Sequence, residues 1–182
     1  MSRSEGGKHP HIERLLRGEF QWVPYVRMRG CQGFVTEGKF GKFWRAYLND
    51  RNLPIPPAQV YEDPDREGGY VIDDGHHRVI AAMYLSLKLL QLFREGKSMG
   101  SFVQMQRGVP VAMARFGHGT GQPISGGLYV DVITPTVGRV LTGRPTFPLR
   151  EIRLDKGIHD KITNTGWASI EHPRDTFRSL AD

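Results

Sequence analysis

The segment Tyr70–Ala82 constrains the fold of this chain more than any other part of the sequence. It reads Tyr-Val-Ile-Asp-Asp-Gly-His-His-Arg-Val-Ile-Ala-Ala, so a short apolar run leads through a glycine straight into residues with helical spacing. The apolar positions continue as one broad stripe to Phe93, and Gly96 ends the pattern. The sequence therefore predicts a buried strand, a sharp turn at Gly75 and a helix that begins near His76.

The predicted turn has the features of an anion-binding site. The first turn of a helix has backbone N–H groups without partners inside the helix and a partial positive charge. Gly75 lets a phosphate approach the backbone, and Arg78 is placed to grip it with two hydrogen bonds. Positive side chains at this end of the helix are unfavourable beside the positive end of its dipole. A bound anion would offset that cost, so the arrangement favours an anion site. We expect Asp74, Gly75, His76, His77 and Arg78 to bind phosphate, and Arg78→Ala to abolish binding with little loss of stability.

The two aspartates before the turn have alternative roles. One of Asp73 and Asp74 caps the helix, while the other holds a Mg²⁺ that bridges the phosphates or orients a ribose hydroxyl. The structural alternative is that both aspartates serve only the helix start, and that His76 and His77 are surface residues.

The run Asp74-Gly75-His76-His77-Arg78, followed by Ala81-Ala82, resembles the signature of the ParB/sulfiredoxin-like superfamily. The stretch 53–60 also resembles the proline-containing segment of that family, and the resemblance covers about residues 53–90. It implies a compact α+β fold, with a mixed sheet and a few flanking helices, and it implies that the turn binds the phosphates of ATP or another nucleotide. We expect this domain over residues 20–138, after a basic, partly flexible segment 1–19 and before a C-terminal extension 139–182.

Two departures narrow the activities that the resemblance implies. Partition clamps of the family continue into a helical DNA-reading domain, but the chain after Phe116 is rich in Gly and Pro and has no helix-turn-helix pattern. Sulfiredoxins have a cysteine inside the turn, where this chain has His76 and His77. Neither partition nor sulfinic acid repair is therefore expected.

Three functional hypotheses remain. The first is an ATP-hydrolysing DNA nuclease or DNA-binding protein of plasmid or phage type, in which His76 or His77 is a general acid or base and Asp73 or Asp74 recruits Mg²⁺. The second is a phosphotransferase, either a small-molecule or a protein kinase, whose catalytic carboxylate is Glu37 or Glu62. The third is a non-catalytic, nucleotide-regulated protein that binds or inhibits a protein partner.

The charge of the chain suits an anionic partner such as DNA. The formal net charge is +6, and residues 1–45 contain nine Lys or Arg against four Asp or Glu. Aromatic residues at helical spacing predict an amphipathic helix over Lys39–Asn49. Lys39, Lys42 and Arg45 lie off its aromatic stripe, where they face water or contact a nucleic-acid backbone.

Cysteine content and hydropathy predict a cytoplasmic protein. Cys31 is the only cysteine, so no internal disulfide forms. It has no His neighbour in the sequence, which argues against a catalytic role. No apolar run approaches the ~20 residues of a membrane span, and residues 1–10 lack a signal-peptide core. We expect no membrane association.

The remaining elements are predicted from alternation and from turn residues. Pro24 confines the first strand to a sheet edge or a bulge, and the strand 58–62 pairs with 70–72 as a hairpin. The predicted strands and helices elsewhere are a helical turn at 12–17, strands at 20–28, 128–133 and 149–154, two strands within 101–116 that turn at 107–108, a loop at 117–127 and a helix at 173–180.

Overall fold

The structure is a computed structural model that describes residues 14, 17–49, 56–95, 105–106, 109–110, 126–135, 144–166 and 169. Within these residues ten strands and three α-helices follow one another in a mixed order. The elements in chain order are β1 (Gln21–Pro24), β2 (Met28–Gly30), β3 (Phe34–Val35), α1 (Glu37–Asn49), β4 (Gln59–Glu62), β5 (Tyr70–Asp74), α2 (His76–Arg94), β6 (Met105–Gln106), β7 (Val109–Pro110), β8 (Gly127–Val132), β9 (Phe147–Pro148), β10 (Arg153–Leu154) and α3 (Lys156–Asn164).

The main sheet is mixed, which confirms the predicted α+β class. Six strands in the described part of the chain lie in the order β1-β8-β4-β5-β2-β9. β5 pairs antiparallel with β4 on one side and parallel with β2 on the other. The strand that leads into the predicted turn is therefore an inner strand, and Val71 and Ile72 on it are buried.

The predicted strand 20–28 is wrong in one respect, because two short strands replace it. After Pro24 the chain forms a 3₁₀ turn, Tyr25–Arg27, and changes its partner. β1 pairs with β8 at one edge of the sheet, whereas β2 pairs with β5 and β9 at the other side. Pro24 has no N–H to donate to a ladder, so it lies on an edge strand as expected.

The hairpin predicted between 58–62 and 70–72 is confirmed. β4 and β5 are antiparallel, and Glu62 lies opposite Tyr70 while Gln59 lies opposite Asp74. The second strand is two residues longer than predicted, since it includes Asp73 and Asp74. Both aspartates therefore lie at the end of β5 that meets α2.

The two longer helices cover the sheet and bury the aromatic stripe of α1. Phe40, Trp44 and Tyr47 are almost fully buried, and the rings of Phe40 and Trp44 stack at 5.3 Å. The stripe is thus part of the core, as expected from its spacing. The basic residues Lys39, Lys42 and Arg45 lie on the exposed face of the same helix.

Residues 144–166 pack on the domain that precedes them. β9 pairs with β2, and β10 pairs with β3. The predicted strand 149–154 is wrong over most of its length, because 149–151 form a 3₁₀ turn and only Arg153–Leu154 is a strand. The sequence analysis missed α3, whose Ile158 is fully buried.

Several predictions concern residues outside the described part. The helix at 173–180 lies entirely outside it, as do most of the loop 117–127 and of the turn at 12–17. Two paired strands, β6 and β7, lie within 101–116, but their turn at 107–108 is not described. Among the described residues, no helix is long and apolar enough to cross a membrane.

Candidate functional site

The turn between β5 and α2 forms as the sequence predicts, with Gly75 as the N-cap of the helix. Gly75 has a φ of 101°, a conformation that side chains rarely tolerate. Its carbonyl accepts the first helical hydrogen bond, from the N–H of Val79, at 3.0 Å. A Cβ on Gly75 would lie 2.9 Å from the Cβ of Ala58, so the protein's own packing also requires glycine. The prediction that Asp73 or Asp74 caps the helix is wrong, because the cap position belongs to Gly75.

The Arg78 side chain is held by groups of the protein itself. Its Nη1 donates a hydrogen bond to the carbonyl of Pro56 at 2.8 Å, and its Nη2 donates one to Oδ2 of Asp74 at 2.5 Å. The guanidinium also lies 5.9 Å from the ring centroid of Phe43, and only 10% of the side chain is exposed. Arg78 therefore fastens the turn to the segment before β4, which argues against the expectation that its loss costs little stability.

His76 is a buried, neutral hydrogen-bond acceptor. Its Nε2 accepts the backbone N–H of Cys31 at 3.1 Å, which leaves the ring proton on Nδ1. Burial is the main cause that lowers the pKa of His76 to about 4, and the charges of His77 and Arg144 lower it further, against Asp74 and Asp73. The ring is therefore uncharged near neutral pH. This pKa does not suit the predicted general acid–base role at neutral pH, and the ring is not the surface residue of the structural alternative.

His77 is held in a similar way but is more accessible. Its Nε2 accepts the backbone N–H of Thr36 at 3.2 Å, one residue before α1 begins. Burial lowers its pKa first, and the nearby charge of Lys39 lowers it further. His77 thus joins the starts of α1 and α2. Neither histidine supplies the positive charge that the sequence analysis attributes to it near neutral pH.

Asp73 and Asp74 end β5, where the pairing with β4 shifts register, and both carboxylates lie close enough to raise the pKa of His76. Asp73 is half-buried, while the Asp74 side chain is 69% exposed and pairs with Arg78. Across the described ranges, no group of three or more His, Cys, Asp and Glu side chains could hold a metal ion. Asp74 is therefore the more exposed of the two carboxylates before the turn.

Cys31 contacts a histidine that is 45 residues away in the sequence. Its Sγ lies 3.5 Å from Nε2 of His76 and 3.4 Å from the carbonyl oxygen of Ile72. Cys31 therefore has in space the histidine neighbour that it lacks along the chain. The lone pair of Nε2 already accepts the Cys31 amide, and the thiol donates to Ile72, so the pair is arranged to fix β2 against α2.

Glu37 and Glu62 lie apart from the turn in different ways. Glu62 is at the opposite end of the hairpin from Gly75, beside Tyr70, which argues against its predicted role as a catalytic carboxylate. Glu37 begins α1 next to Thr36, but its Oε1 pairs with Nζ of Lys161 on α3 at 3.1 Å. The structure adds two cations that were not assigned to the turn, Lys39 beside His77 and Arg144 beside His76. No local pattern connects Arg144 to the motif, because they are far apart in the chain.

The chain matches no protein-family model, no curated protein and no solved structure.

Proposed function

We propose that the N-terminal end of α2 binds the phosphate groups of a nucleotide, and that backbone amides rather than Arg78 hold them. The observation that carries this proposal is the glycine at the N-cap position of the helix. Gly75 has no side-chain oxygen to accept the first amides, and the first turn contains no acidic residue. Among the backbone hydrogen bonds that the described residues form outside regular elements, none is donated by His76, His77 or Arg78. Such a helix start favours an anion.

Two exposed cations strengthen the attraction for phosphate. Lys39 and Arg144 lie close enough to lower the pKa of His77 and of His76, respectively, and both side chains are exposed. Because the imidazoles are neutral, they do not oppose the helix dipole. They accept the backbone N–H groups of Cys31 and Thr36 and so hold the neighbouring backbone in place. Lys39 and Arg144 therefore take over the charge role that the sequence analysis gave to the histidines.

A Mg²⁺ ion fits the turn only as the companion of a nucleotide. Mg²⁺ is commonly bound through one or two carboxylates together with substrate phosphates, and Asp74 supplies one exposed carboxylate. The ion would neutralise phosphate charge there.

The activity proposed is that of the ParB/sulfiredoxin-like proteins that hydrolyse ATP and act on DNA. The strand–glycine–helix geometry and the mixed sheet support this resemblance, and the exposed bases Lys39, Lys42 and Arg45 support a DNA partner. Of the two histidines, only the half-buried His77 retains a place for acid–base chemistry. A phosphotransferase remains the alternative, with Glu37 as its single remaining carboxylate candidate. The third hypothesis, nucleotide-regulated binding of a protein partner, predicts nucleotide binding without hydrolysis.

The first experiment measures thermal stability of the purified protein with ATP, ADP, CTP and GTP, with and without Mg²⁺. A ligand at about 100 times its Kd adds about 2.7 kcal/mol to the free energy of unfolding. We expect at least one nucleotide to raise the Tm, and we expect Mg²⁺ to increase that rise.

Two glycine variants separate backbone strain from loss of the site. Gly75 and Gly68 both have positive φ, but Gly68 lies in the β4–β5 turn with no atom within 4 Å of an added Cβ. Gly75→Ala should lose the nucleotide-dependent rise in Tm, whereas Gly68→Ala should keep it. If Gly75→Ala does not fold, Lys39→Gln with Arg144→Gln tests the same site, and Lys42→Gln is the exposed control.

Hydrolysis then separates the activities. Nucleotide hydrolysis that DNA stimulates supports the nuclease, and phosphate transfer that Glu37→Gln abolishes supports the kinase. Binding without hydrolysis supports the interaction protein. If no nucleotide changes the Tm of the wild-type protein, the proposal of a nucleotide site at this turn is wrong.

A further inference from the structure

A second site lies further along α2 from the turn, in a cavity of about 480 Å³. Its walls come from the 3₁₀ turn after β1, the start of β2, the middle of α2 and the residues around β9. We name it the arginine-rimmed cavity, after Arg29, Arg66 and Arg150 in its lining. Met83 and Leu87 of α2 lie about 10–17 Å along the helix from His76, at 1.5 Å per residue, so the cavity is separate from the phosphate turn.

The floor of the arginine-rimmed cavity is apolar. Met28, Met83 and Leu149 are each no more than 3% exposed, yet all three line the space. The two hydroxyl side chains in the lining, those of Tyr25 and Ser86, hydrogen-bond to each other. A volume of this size lies within the about 300–1,000 Å³ of small-molecule sites, which are mostly apolar with a few placed polar groups.

Among the described residues, the rim carries three positive charges and no carboxylate. The lining includes no Asp or Glu, and no described Asp or Glu forms an ion pair with Arg29, Arg66 or Arg150. Arg29 donates hydrogen bonds to neutral acceptors on Thr146. Its Nε lies 2.8 Å from Oγ1, and its Nη2 lies 2.8 Å from the carbonyl oxygen. Arg66 is fixed by the carbonyl of Arg27 at 3.0 Å. Their positions are thus set by neutral acceptors, and no described carboxylate pairs with them.

We propose that the arginine-rimmed cavity binds a small amphipathic anion, with an apolar or aromatic body on the methionine and leucine floor and a carboxylate, sulfonate or phosphate at the arginines. Guanidinium groups match such anions with paired hydrogen bonds. A neutral apolar ligand would offer no anionic group to the arginines at the rim. A strongly polar body would find few partners on the floor.

Val26 provides a test that leaves the core intact. It lies at the cavity and is 83% exposed, so its substitution changes charge at the mouth without changing packing. Phe34, on β3, is the other large apolar side chain exposed among the described residues, at 44%, and it does not line the cavity. Phe34→Glu is therefore a matched control.

The probe is 1-anilinonaphthalene-8-sulfonate, an aromatic body with a sulfonate, measured by fluorescence titration. Its uncharged analogue, N-phenyl-1-naphthylamine, is titrated in parallel. We expect one saturable site for the sulfonate probe, displaced by decanoate more effectively than by 1-decanol. The uncharged analogue should bind several-fold more weakly.

Charge changes at the rim should move the affinity in opposite directions. Val26→Glu and Arg150→Gln should each weaken binding of the sulfonate probe about threefold to fivefold, the effect expected of one partly exposed charge. Val26→Lys should strengthen it, and Val26→Gln and Phe34→Glu should leave it unchanged. Lys39→Gln, at the phosphate turn, should also leave it unchanged.

Two outcomes overturn the proposal. The first is equal affinity for the charged and the uncharged probe, which would show that the arginines take no part. The second is a response to Val26→Glu and Val26→Lys in the same direction, which would indicate a structural disturbance instead of a charge effect.

Discussion

At the scale of single residues, burial decides what the side chains of the motif do. Arg78, His76 and His77 look from the sequence like three cations that meet a ligand. In the structure the guanidinium faces two carbonyls and Asp74, and each imidazole accepts a backbone N–H. Desolvation penalises the charged form of a histidine, so the same residues position the turn instead of charging it.

The buried neutral His76 should make stability depend on pH. Its pKa is about 4 in the folded protein and about 6.5 when unfolded, so the unfolded state binds the proton first as pH falls. The stability that neutral His76 contributes is complete above pH about 6.5, and up to about 3 kcal/mol of it is lost by pH about 4. Urea unfolding from pH 7.5 to 4.5 measures this loss.

His76→Gln is the matched variant for that experiment. Glutamine offers an acceptor to the Cys31 amide and does not titrate, so the variant should lose less stability over the same range. Part of the dependence should remain, because the pKa of His77 is lowered in the same direction. Identical pH profiles for the two proteins would contradict the assignment of the effect to His76.

Loss of the Arg78 side chain should destabilise the fold. Arg78→Ala leaves the carbonyl of Pro56 without this donor and releases Asp74, and we expect a loss of about 2–3 kcal/mol in the free energy of unfolding. Arg78→Lys should recover part of it, because lysine keeps the charge but not the planar fork. Urea midpoints equal to that of the wild-type protein would mean that the arginine acts on ligands alone.

At the scale of elements, the short helix α3 joins the C-terminal part to the two longer helices. Ile158 of α3 is fully buried, and the Nε1 of Trp44 on α1 donates a hydrogen bond to Oγ1 of Thr165, directly after α3, at 3.1 Å. Lys88 of α2 reaches the carbonyl of Thr163. Both longer helices therefore contact the end of α3.

Shortening the buried side chain of α3 tests this docking. Ile158→Ala should cost about 2–5 kcal/mol, the range for removing a buried Ile and leaving a cavity. His159→Ala, on the exposed side of the same helix, should change stability by less than about 0.5 kcal/mol. The measurement is chemical unfolding followed by Trp fluorescence. Equal losses for the two variants would show that α3 contributes no more than its own helix propensity.

At the scale of the whole molecule, the exposed face of α1 and the turn form one basic region. Lys39 lies beside His77 at the start of α2, and Lys42 and Arg45 continue along the exposed side of α1. A DNA partner that contacts this face would release counterions, and its affinity would fall with salt. The proposed nucleotide site and the proposed DNA surface therefore adjoin.

The salt dependence of DNA binding measures that surface. Replacing Lys39, Lys42 and Arg45 by Gln should reduce the slope of log K against log salt concentration by about 3. Each DNA phosphate that a Lys or Arg side chain neutralises adds roughly 0.9 to the slope. The control replaces three other exposed bases, Arg27, Arg153 and Lys156, and should leave the slope unchanged. A larger change in the control than in the triple variant would place the DNA-binding surface elsewhere.

The sequence by itself determined the features that depend on neighbours along the chain. The turn at Gly75, the start of α2 at His76, the β4–β5 hairpin and the aromatic stripe of α1 all follow from local spacing. Each of them is fixed by backbone conformation and by the periodicity of apolar residues.

Only the tertiary structure decided the features that depend on packing between distant segments. The change of partner after Pro24, the contact of Cys31 with His76, the docking of α3 and the arginine-rimmed cavity join residues tens of positions apart. The charge state of His76 and the partners of Arg78 also depend on the tertiary structure. His76 is neutral, and Arg78 is hydrogen-bonded within the protein, only because the sheet and helices remove them from water. Desolvation and long-range contact depend on which surfaces meet, and no local pattern in this chain specifies that.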